Sequence, residues 1–314
     1  MKRIVSVLLA VFFLIPGVAF PDGGTGKSKI PVKYSSYLEA YEKEDYAMAF
    51  KLAEPLAKQG DAKAQYYVAL MYDTGKVKPA SSGDTVAWFL KSAEQGFVAA
   101  QYYLALKYNT GDGVPLNYKE AFKWFSKAAE QGHASASNCI GSLYAGGKGV
   151  AQNYAEALKW YTKAAEQGST AAQLNLGIMY ENGQGVTQSY EEAVKWYTKA
   201  AERGDAEAQL NLAFLYDLGQ GVPQNYTEAL KWYTKAAEQG VARAQCSLGF
   251  LYSSGLGVPQ NNVQAYKWFS LCADNGNTSA PRNRDILAKR MTRAQIDEAK
   301  RLVAEWYKQH KGKQ

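Results

Sequence analysis

Hydrophobic and small residues recur along most of the chain with a period of 36 residues. The glycine column is Gly60, Gly96, Gly132, Gly168, Gly204, Gly240 and Gly276. The tryptophan column is Trp88, Trp124, Trp160, Trp196, Trp232 and Trp268, and the tyrosine column is Tyr72, Tyr108, Tyr144, Tyr180, Tyr216 and Tyr252. The alanine column is Ala64, Ala100, Ala136, Ala172, Ala208 and Ala244. Such regularity indicates an internal repeat whose units pack on one another.

Each period predicts two helices joined by a glycine-containing loop. The first helix of the period after Gly168 is predicted over about residues 170–180, with Ala172, Leu176 and Tyr180 on one face. Gly177 flanks this face, where a neighbour must come close. The second helix is predicted to begin at Ser189 and to end at Gly204, and its buried face consists of Ala193, Trp196, Tyr197 and Ala200.

The loops and helix starts repeat as well. The segment Gly183-Gln184-Gly185-Val186 reverses the chain, because glycine accepts the left-handed conformation that the reversal needs. Glu192 follows Ser189 at the spacing of a capping box, and the corresponding pairs are Asn117 with Glu120, Asn153 with Glu156, and Asn225 with Glu228. Helices this short are marginal alone, so each repeat must bury its apolar face on the next.

These columns resemble the Sel-1-like repeat family, a relative of the tetratricopeptide repeat. The pattern is Ala208-x-x-x-Leu212-Ala213-x-x-Tyr216-x-x-Gly219-x-Gly221-Val222, followed by Ala229-x-x-Trp232-x-x-x-Ala236-Ala237-x-x-Gly240. The resemblance covers residues 61–276, which is six periods. It implies an all-α protein, a right-handed α-solenoid of antiparallel helix pairs, that acts as a protein-interaction scaffold.

The flanking segments are expected to cap the array. Residues 34–60 are interpreted as a degenerate repeat, with Leu52 in the tryptophan column and Pro55 bending or shortening its helix. The loop at Gly75-Lys76-Val77-Lys78-Pro79 departs from the glycine pattern, which predicts a different shape. Residues 277–314 are predicted to form capping helices and a basic tail. The last helix follows Thr292-x-x-Gln295, and its predicted apolar face is Ile296, Ala299, Val303 and Trp306.

The first residues are typical of a secretory signal peptide. Lys2 and Arg3 precede an apolar run from Ile4 to Ile15 and then small residues, so residues 1–19 are interpreted as a signal cleaved after Ala19. A buried N-terminal helix or an uncleaved anchor is the alternative. We expect an exported protein, periplasmic in a Gram-negative bacterium, with secretion as the alternative location. Residues 20–33 are expected to be a flexible linker. They are not expected to form a phosphate-binding loop, because Pro21 stands where such a loop needs glycine.

Most of the net charge of +7 lies in the C-terminal segment of the chain. Residues 281–314 hold ten Lys and Arg and four Asp and Glu, whereas residues 20–280 hold 24 basic and 25 acidic residues. The tail from Lys308 to Gln314 is expected to be solvated, and contact with an anionic membrane or cell-wall polymer is the less favoured alternative. Nucleic acid is not an expected partner, because the tail has no stacking platform and export separates the chain from cytoplasmic nucleic acid.

Candidate chemistry is sparse. The two histidines, His133 and His310, and the three cysteines, Cys139, Cys246 and Cys272, have no metal-ligand spacing, so neither a metal nor another cofactor is predicted. The cysteines also lack a repeating pattern, so disulfides are not expected to be the framework. No catalytic constellation appears, and the chain is predicted not to be an enzyme. The lysine rows of the second helices, beginning with Lys123 and Lys127, are interpreted as a solvated face, with an anionic docking stripe as the alternative.

The predicted site is the concave face of the solenoid. Residues six, seven and ten positions after each boundary glycine are predicted to line it, as in related two-helix repeats, and to hold a protein or peptide. They are Tyr66, Tyr67, Leu70, Tyr102, Tyr103, Leu106, Asn138, Leu174, Asn175, Ile178, Leu210, Asn211, Phe214 and Phe250. Stacking of the repeats is an alternative role for part of this set. A secreted effector or adhesion factor, or a binder of peptidoglycan or β-lactam ligands, are the alternative functions. Some secreted members with paired cysteines in each repeat are linked to β-lactams, and that repeated pairing is missing here.

Overall fold

The computed structural model describes residues 35–79 and 83–310. The predicted signal peptide, the linker after it and the last residues of the basic tail lie outside these ranges. The described part holds sixteen helices and no strand. Their bounds are α1 Tyr37–Glu42, α2 Tyr46–Lys58, α3 Ala62–Asp73, α4 Asp84–Glu94, α5 Val98–Thr110, α6 Tyr118–Glu130, α7 Ala134–Gly146, α8 Tyr154–Glu166, α9 Thr170–Asn182, α10 Tyr190–Glu202, α11 Ala206–Leu218, α12 Tyr226–Glu238, α13 Ala242–Ser254, α14 Asn262–Asp274, α15 Ala280–Ala288 and α16 Arg293–His310.

From α1 to α15, helices that follow one another in sequence pack on one another, and the last helix, α16, packs on α14. This is the predicted α-solenoid of helix pairs. The first helix after Gly168 runs to Asn182, slightly beyond the predicted end, and the second begins after its cap Ser189 as predicted. The closing helix α16 buries Ala299 and Trp306 on the predicted face.

The centre of each repeat differs in one respect from the sequence prediction. All six residues of the alanine column are fully buried, as expected of positions where helices touch. The large buried ring, however, is the residue after each tryptophan, and this ring column is Phe89, Phe125, Tyr161, Tyr197, Tyr233 and Phe269. Trp124, Trp232 and Trp268 are buried, whereas Trp88, Trp160 and Trp196 are only half-buried. Five of the six tryptophans have a lysine one turn later over the ring, whereas Trp268 has Lys267, the residue before it.

Gly177 shows why the first helices need small residues beside the ring column. A Cβ on Gly177 would lie 2.4 Å from the ring of Tyr197. Gly141 and Gly249 meet the rings of their own repeats in the same way. Close approach of a neighbour at Gly177 was the sequence prediction, and it is confirmed.

The loops between helices close through the backbone. Gly183 adopts φ 66° at the end of α9, the left-handed conformation predicted for this glycine. The N–H of Ser189 then donates to the carbonyl of Tyr180 at 2.9 Å. The Ser189 side chain accepts from the N–H of Glu192, which is half of the predicted capping box. The Glu192 carboxylate pairs with Lys195 instead of completing the box, because the loop has already satisfied the N–H of Ser189.

At the N-terminal end, one of the two effects predicted for Pro55, a shorter helix, is absent from α2. Helix α2 has 13 residues and continues past Pro55, so this proline does not shorten it. Proline removes one N–H from a helix, and packing of the buried Ala53 and Ala57 in the same cluster as Val68 and Met71 of α3 holds α2 in place. The different loop shape at Gly75 is confirmed, since the N–H groups of Lys76 and Val77 both donate to the Met71 carbonyl.

Candidate functional site

The fourteen residues predicted for the concave face all lie on the first helices of their pairs. Helices α3, α5, α9 and α11 carry three each, and α7 and α13 carry one each. These helices share few charged side chains, so the site is a row of rings, aliphatic side chains and amides. The arrangement is suited to binding by shape and by amide hydrogen bonds.

The fourteen predicted residues differ in how far they are buried. Leu210 is fully buried, and Tyr66 and Leu70 are 9% and 8% exposed, which corrects the prediction that they lie on the surface. Leu210 and Tyr66 stand six residues after the boundary glycine, and at that position of the last repeat Cys246 is bonded to Cys272 of α14. This position therefore turns toward the second helix of its own repeat. Packing within the repeat therefore accounts for the burial of Leu210 and Tyr66.

The position ten residues after the glycine lies over the ring column. Phe214 meets the edge of Tyr233 with ring centroids 5.3 Å apart, and Phe250 meets Phe269 at 5.2 Å. Phe250 remains 52% exposed. The contacts with the buried rings thus fix the orientation of two phenylalanines of successive repeats at the surface.

The N-terminal part of the face is a cluster of tyrosines. The rings of Tyr66 and Tyr103 lie 5.8 Å apart, and those of Tyr102 and Tyr103 are also 5.8 Å apart. Burial raises the pKa of Tyr102, so its hydroxyl stays protonated and remains a hydrogen-bond donor. This cluster is held together by its own ring contacts.

Amides and acids occupy the middle of the face. The Asn175 side-chain amide donates to the Asn138 side-chain oxygen at 3.0 Å, which joins α7 to α9. The sequence analysis missed two acids on the same helices. Glu181 accepts from the Tyr197 hydroxyl, and Asp217 accepts from Tyr233 at 3.0 Å. Both stand thirteen residues after their boundary glycine, in a polar column that the apolar pattern does not indicate.

His133 is a helix cap. Its Nδ1 accepts from the N–H of Ala136 at 3.2 Å, and its ring stacks on Tyr102 with centroids 4.4 Å apart. Burial lowers the pKa of His133, which favours the neutral form that capping requires. Burial also raises the pKa of the Cys139 thiol to about 12, so this thiol is a poor nucleophile.

Metal-binding clusters and membrane-spanning helices were sought in the described ranges. There, no group of three or more His, Cys, Asp or Glu side chains is placed to hold a metal ion. No helix of residues 35–79 and 83–310 is long and apolar enough to cross a membrane. Cys246 and Cys272 form the one disulfide of this part of the chain, within a single repeat.

The lysine rows of the second helices have partners within their own helices. The first row pairs with the capping-box glutamates three residues earlier, as in Lys159 with Glu156 at 2.6 Å. The second row lies over the tryptophan column, with Lys199 Nζ 3.9 Å from the Trp196 ring centroid. Four ion pairs and the ring contacts occupy these cations, which favours the predicted solvated face over an anionic docking stripe.

Comparison with known proteins agrees with this architecture. The Sel1 repeat family matches residues 37–61, 62–97, 98–133, 139–169, 170–205, 206–241 and 242–277, so the first, degenerate segment counts as a repeat as well. No curated protein matches the chain.

Two solved structures are similar to it. A protective antigen of uropathogenic Escherichia coli with an SLR fold is 34% identical over 82% of this chain, with a TM-score of 0.75, and the match spans 55% of that longer protein. A Sel1 repeat protein of Oxalobacter formigenes is 38% identical over 75% of this chain and 94% of its own, with a TM-score of 0.68. The chain therefore belongs to the Sel1 repeat family, whose non-enzymatic fold serves in general as a protein-interaction scaffold.

Proposed function

We propose that this protein is an exported scaffold that binds a peptide or protein on its concave face. The observation that carries the proposal is the pair Phe214 and Phe250 on successive first helices. Each ring stands edge-on against a buried ring, and Phe250 is 52% exposed. Rigidly held, solvent-exposed aromatic side chains are the usual anchors of protein interfaces, because burying them removes a large apolar area from water.

Polar groups beside these rings suit a polypeptide ligand. Asn211 places a side-chain amide on α11, the helix of Phe214, and Asn175 places one on α9 of the preceding repeat. Amides can donate to and accept from a peptide backbone. Arg243 lies 5.0 Å from the Phe214 ring and adds a cation at the edge. A partner with an apolar side chain between backbone groups fits this arrangement.

The test is capture of periplasmic proteins by the immobilised protein, compared with the double variant Phe214→Asp and Phe250→Asp. We expect the double variant to lose the captured partner, because each charge would have to be buried at an apolar contact. The matched control is Leu218→Asp with Leu256→Asp, which places the same charges on two exposed leucines, one at the end of α11 and one in the loop after α13. Unchanged capture by the phenylalanine variant, with an intact circular dichroism spectrum, would refute the proposal.

Export is part of the proposal. The disulfide between Cys246 and Cys272 supports it, because disulfides persist in oxidising compartments such as the periplasm. N-terminal sequencing of the mature protein from a periplasmic fraction should begin at Phe20. A protein recovered from the cytoplasm with Met1 intact would contradict export.

A surface or secreted antigen that engages host proteins is the second candidate. The observation that favours it is the similarity to the protective antigen of uropathogenic Escherichia coli. Recovery of the protein from washed culture supernatant, with a periplasmic marker retained in the cells, would support this location over the periplasm.

A further inference from the structure

Buried glutamines connect the repeats through their side-chain amides. Each stands five residues after a boundary glycine, and its Nε2 donates to the carbonyl of an alanine near the end of the preceding second helix. Its Oε1 accepts from an amide side chain that follows the next second helix. The acceptor contacts are Gln95 to Gln65 at 2.8 Å, Gln131 to Gln101 at 2.9 Å, Gln239 to Gln209 at 2.8 Å and Asn275 to Gln245 at 2.8 Å.

Two joints, the contacts between successive repeats, depart from this pattern. In one of them Ser137 stands in place of the glutamine, and the other keeps the glutamine but lacks its donor. Gln173 is 4% exposed, and its Nε2 donates to the Ala165 carbonyl, but its Oε1 has no donor among the described residues. The reason is Arg203, which stands where the other joints have glutamine or asparagine. The Arg203 guanidinium donates to the Gly168 carbonyl instead. A buried acceptor without a donor is costly, so a ligand that supplies one is stabilised here.

Gln173 lines a cleft of about 450 Å³ between α8 and α10. The cleft also contains Trp196, Lys199 and Arg203, and the carboxylates of Glu166 and Glu202. Both carboxylates are exposed, and the helix ion pairs of α8 and α10 are made by other glutamates, Glu156 and Glu192. The carbonyl end of α8 adds partial negative charge to the same wall.

These groups select a cation that can donate hydrogen bonds. Trp196 already accepts a cation on its face, since Lys199 Nζ lies 3.9 Å from the ring centroid. Lys199 is exposed and can leave the ring for water. A planar guanidinium matches an amide oxygen, a carboxylate and an aromatic face together better than an ammonium does. We propose that this cleft binds an arginine side chain of a protein partner, at a site that shares no residue with the concave face.

The next joint along the chain is a matched control within the molecule. It repeats Ala, Glu, Gly, Gln, Trp, Lys and Glu at the equivalent positions, as Ala201, Glu202, Gly204, Gln209, Trp232, Lys235 and Glu238. The one lining residue that differs is Gln239 in place of Arg203, and its amide occupies the acceptor of Gln209. The residue at this position therefore determines whether the acceptor is available.

The experiment titrates N-acetyl-L-arginine amide into the full chain and follows the tryptophan indole N–H signals by NMR. We expect saturable shifts of the Trp196 signal, assigned with Trp196→Phe, at millimolar concentrations. Arg203→Gln should weaken binding by about tenfold or more, because the new amide fills the Gln173 acceptor. Gln239→Arg should create a second site with shifts of the Trp232 signal. The uncharged analogue N-acetyl-citrulline amide should bind about tenfold more weakly, since charge-assisted hydrogen bonds are lost.

Three results would overturn the assignment. They are the absence of saturable shifts in the unmodified protein, equal affinity of the parent and Arg203→Gln, and equal affinity for the arginine and citrulline probes. Arg203→Gln restores the residue found at other joints, so we expect it to fold, and circular dichroism checks this. Failure of Gln239→Arg to create a second site would contradict the role given to the free acceptor.

Discussion

The joint between the repeat of α3 and α4 and the repeat of α5 and α6 is held together differently from the joints among the last three repeats. In the first, Lys107 of α5 is 7% exposed and pairs with Asp73 and Asp112. The later joints place an apolar side chain at the same position, Leu215 or Leu251. Their loops also contact the backbone of the preceding repeat directly.

The difference shows that the repeat fixes the backbone and leaves the chemistry of each joint variable. The boundary glycines and the alanine column set the spacing at both ends of the array. Because each repeat touches only its neighbours, one joint can use an ion pair while another uses apolar packing. The same freedom allows Arg203 to replace a glutamine.

The largest expected loss of stability comes from replacing the second glycine of a loop, and it should differ between the two kinds of joint. Gly221 and Gly113 have nearly equal φ, 70° and 74°. A Cβ on Gly221 would lie 2.3 Å from the backbone of Tyr190, whereas the described neighbour of a Cβ on Gly113 is a Val86 methyl group at 3.3 Å. We expect Gly221→Ala to lower the free energy of unfolding by about 4 kcal/mol, the sum of left-handed strain and backbone overlap.

Gly113→Ala should cost only about 1 to 2 kcal/mol, because the strain is the same but a side chain can move aside. Urea unfolding of both variants measures the difference. Equal losses would show that strain alone matters and that the two joints are equivalent.

The next effect concerns the disulfide that closes the last pair. Cys246 and Cys272 are separated by 26 residues, so their bond restricts the unfolded chain. Cys246→Ala with Cys272→Ala should cost about 3 kcal/mol by loop-closure entropy. Hydrogen exchange should show α13 and α14 losing protection while α5 and α6 keep theirs. Uniform loss across the array would mean that the two regions unfold as one unit.

The smallest effect tests the ion pair of the first joint. Burial alone would lower the pKa of Lys107, but hydrogen bonds to Asp112 and Asp73 outweigh it and raise the pKa above 10.5. The ion pair therefore stabilises the fold below pH 10.5, and this contribution is lost as the pH rises through the folded-state pKa.

Lys107→Met should change the free energy of unfolding at neutral pH by no more than about 1 kcal/mol, because the lost attraction is offset by the relieved desolvation. It should also remove part of the alkaline loss of stability that the parent shows in urea unfolding above pH 10.5. Parallel pH profiles of the parent and the variant would contradict the assignment.

Much of the site was accessible from the sequence, and part of it was not. The columns after each glycine placed Phe214 and Phe250 on neighbouring first helices, and the structure puts them there. The same columns placed Leu210 on the surface, although it is fully buried. A helical period says which residues share a face, but it cannot say how far the partner helix wraps around that face.

The sequence by itself determined the helix pairs, the glycine reversals and the stacking, because these depend on local conformation and on a spacing visible in one dimension. Only the tertiary structure decided which ring fills each repeat, that Lys107 is buried, and that Cys246 meets Cys272. In the tertiary structure, Gln173 Oε1 also has no hydrogen-bond donor among the described residues. These outcomes depend on side chains from different repeats that meet only when the array is stacked, and their distances are not encoded in the period.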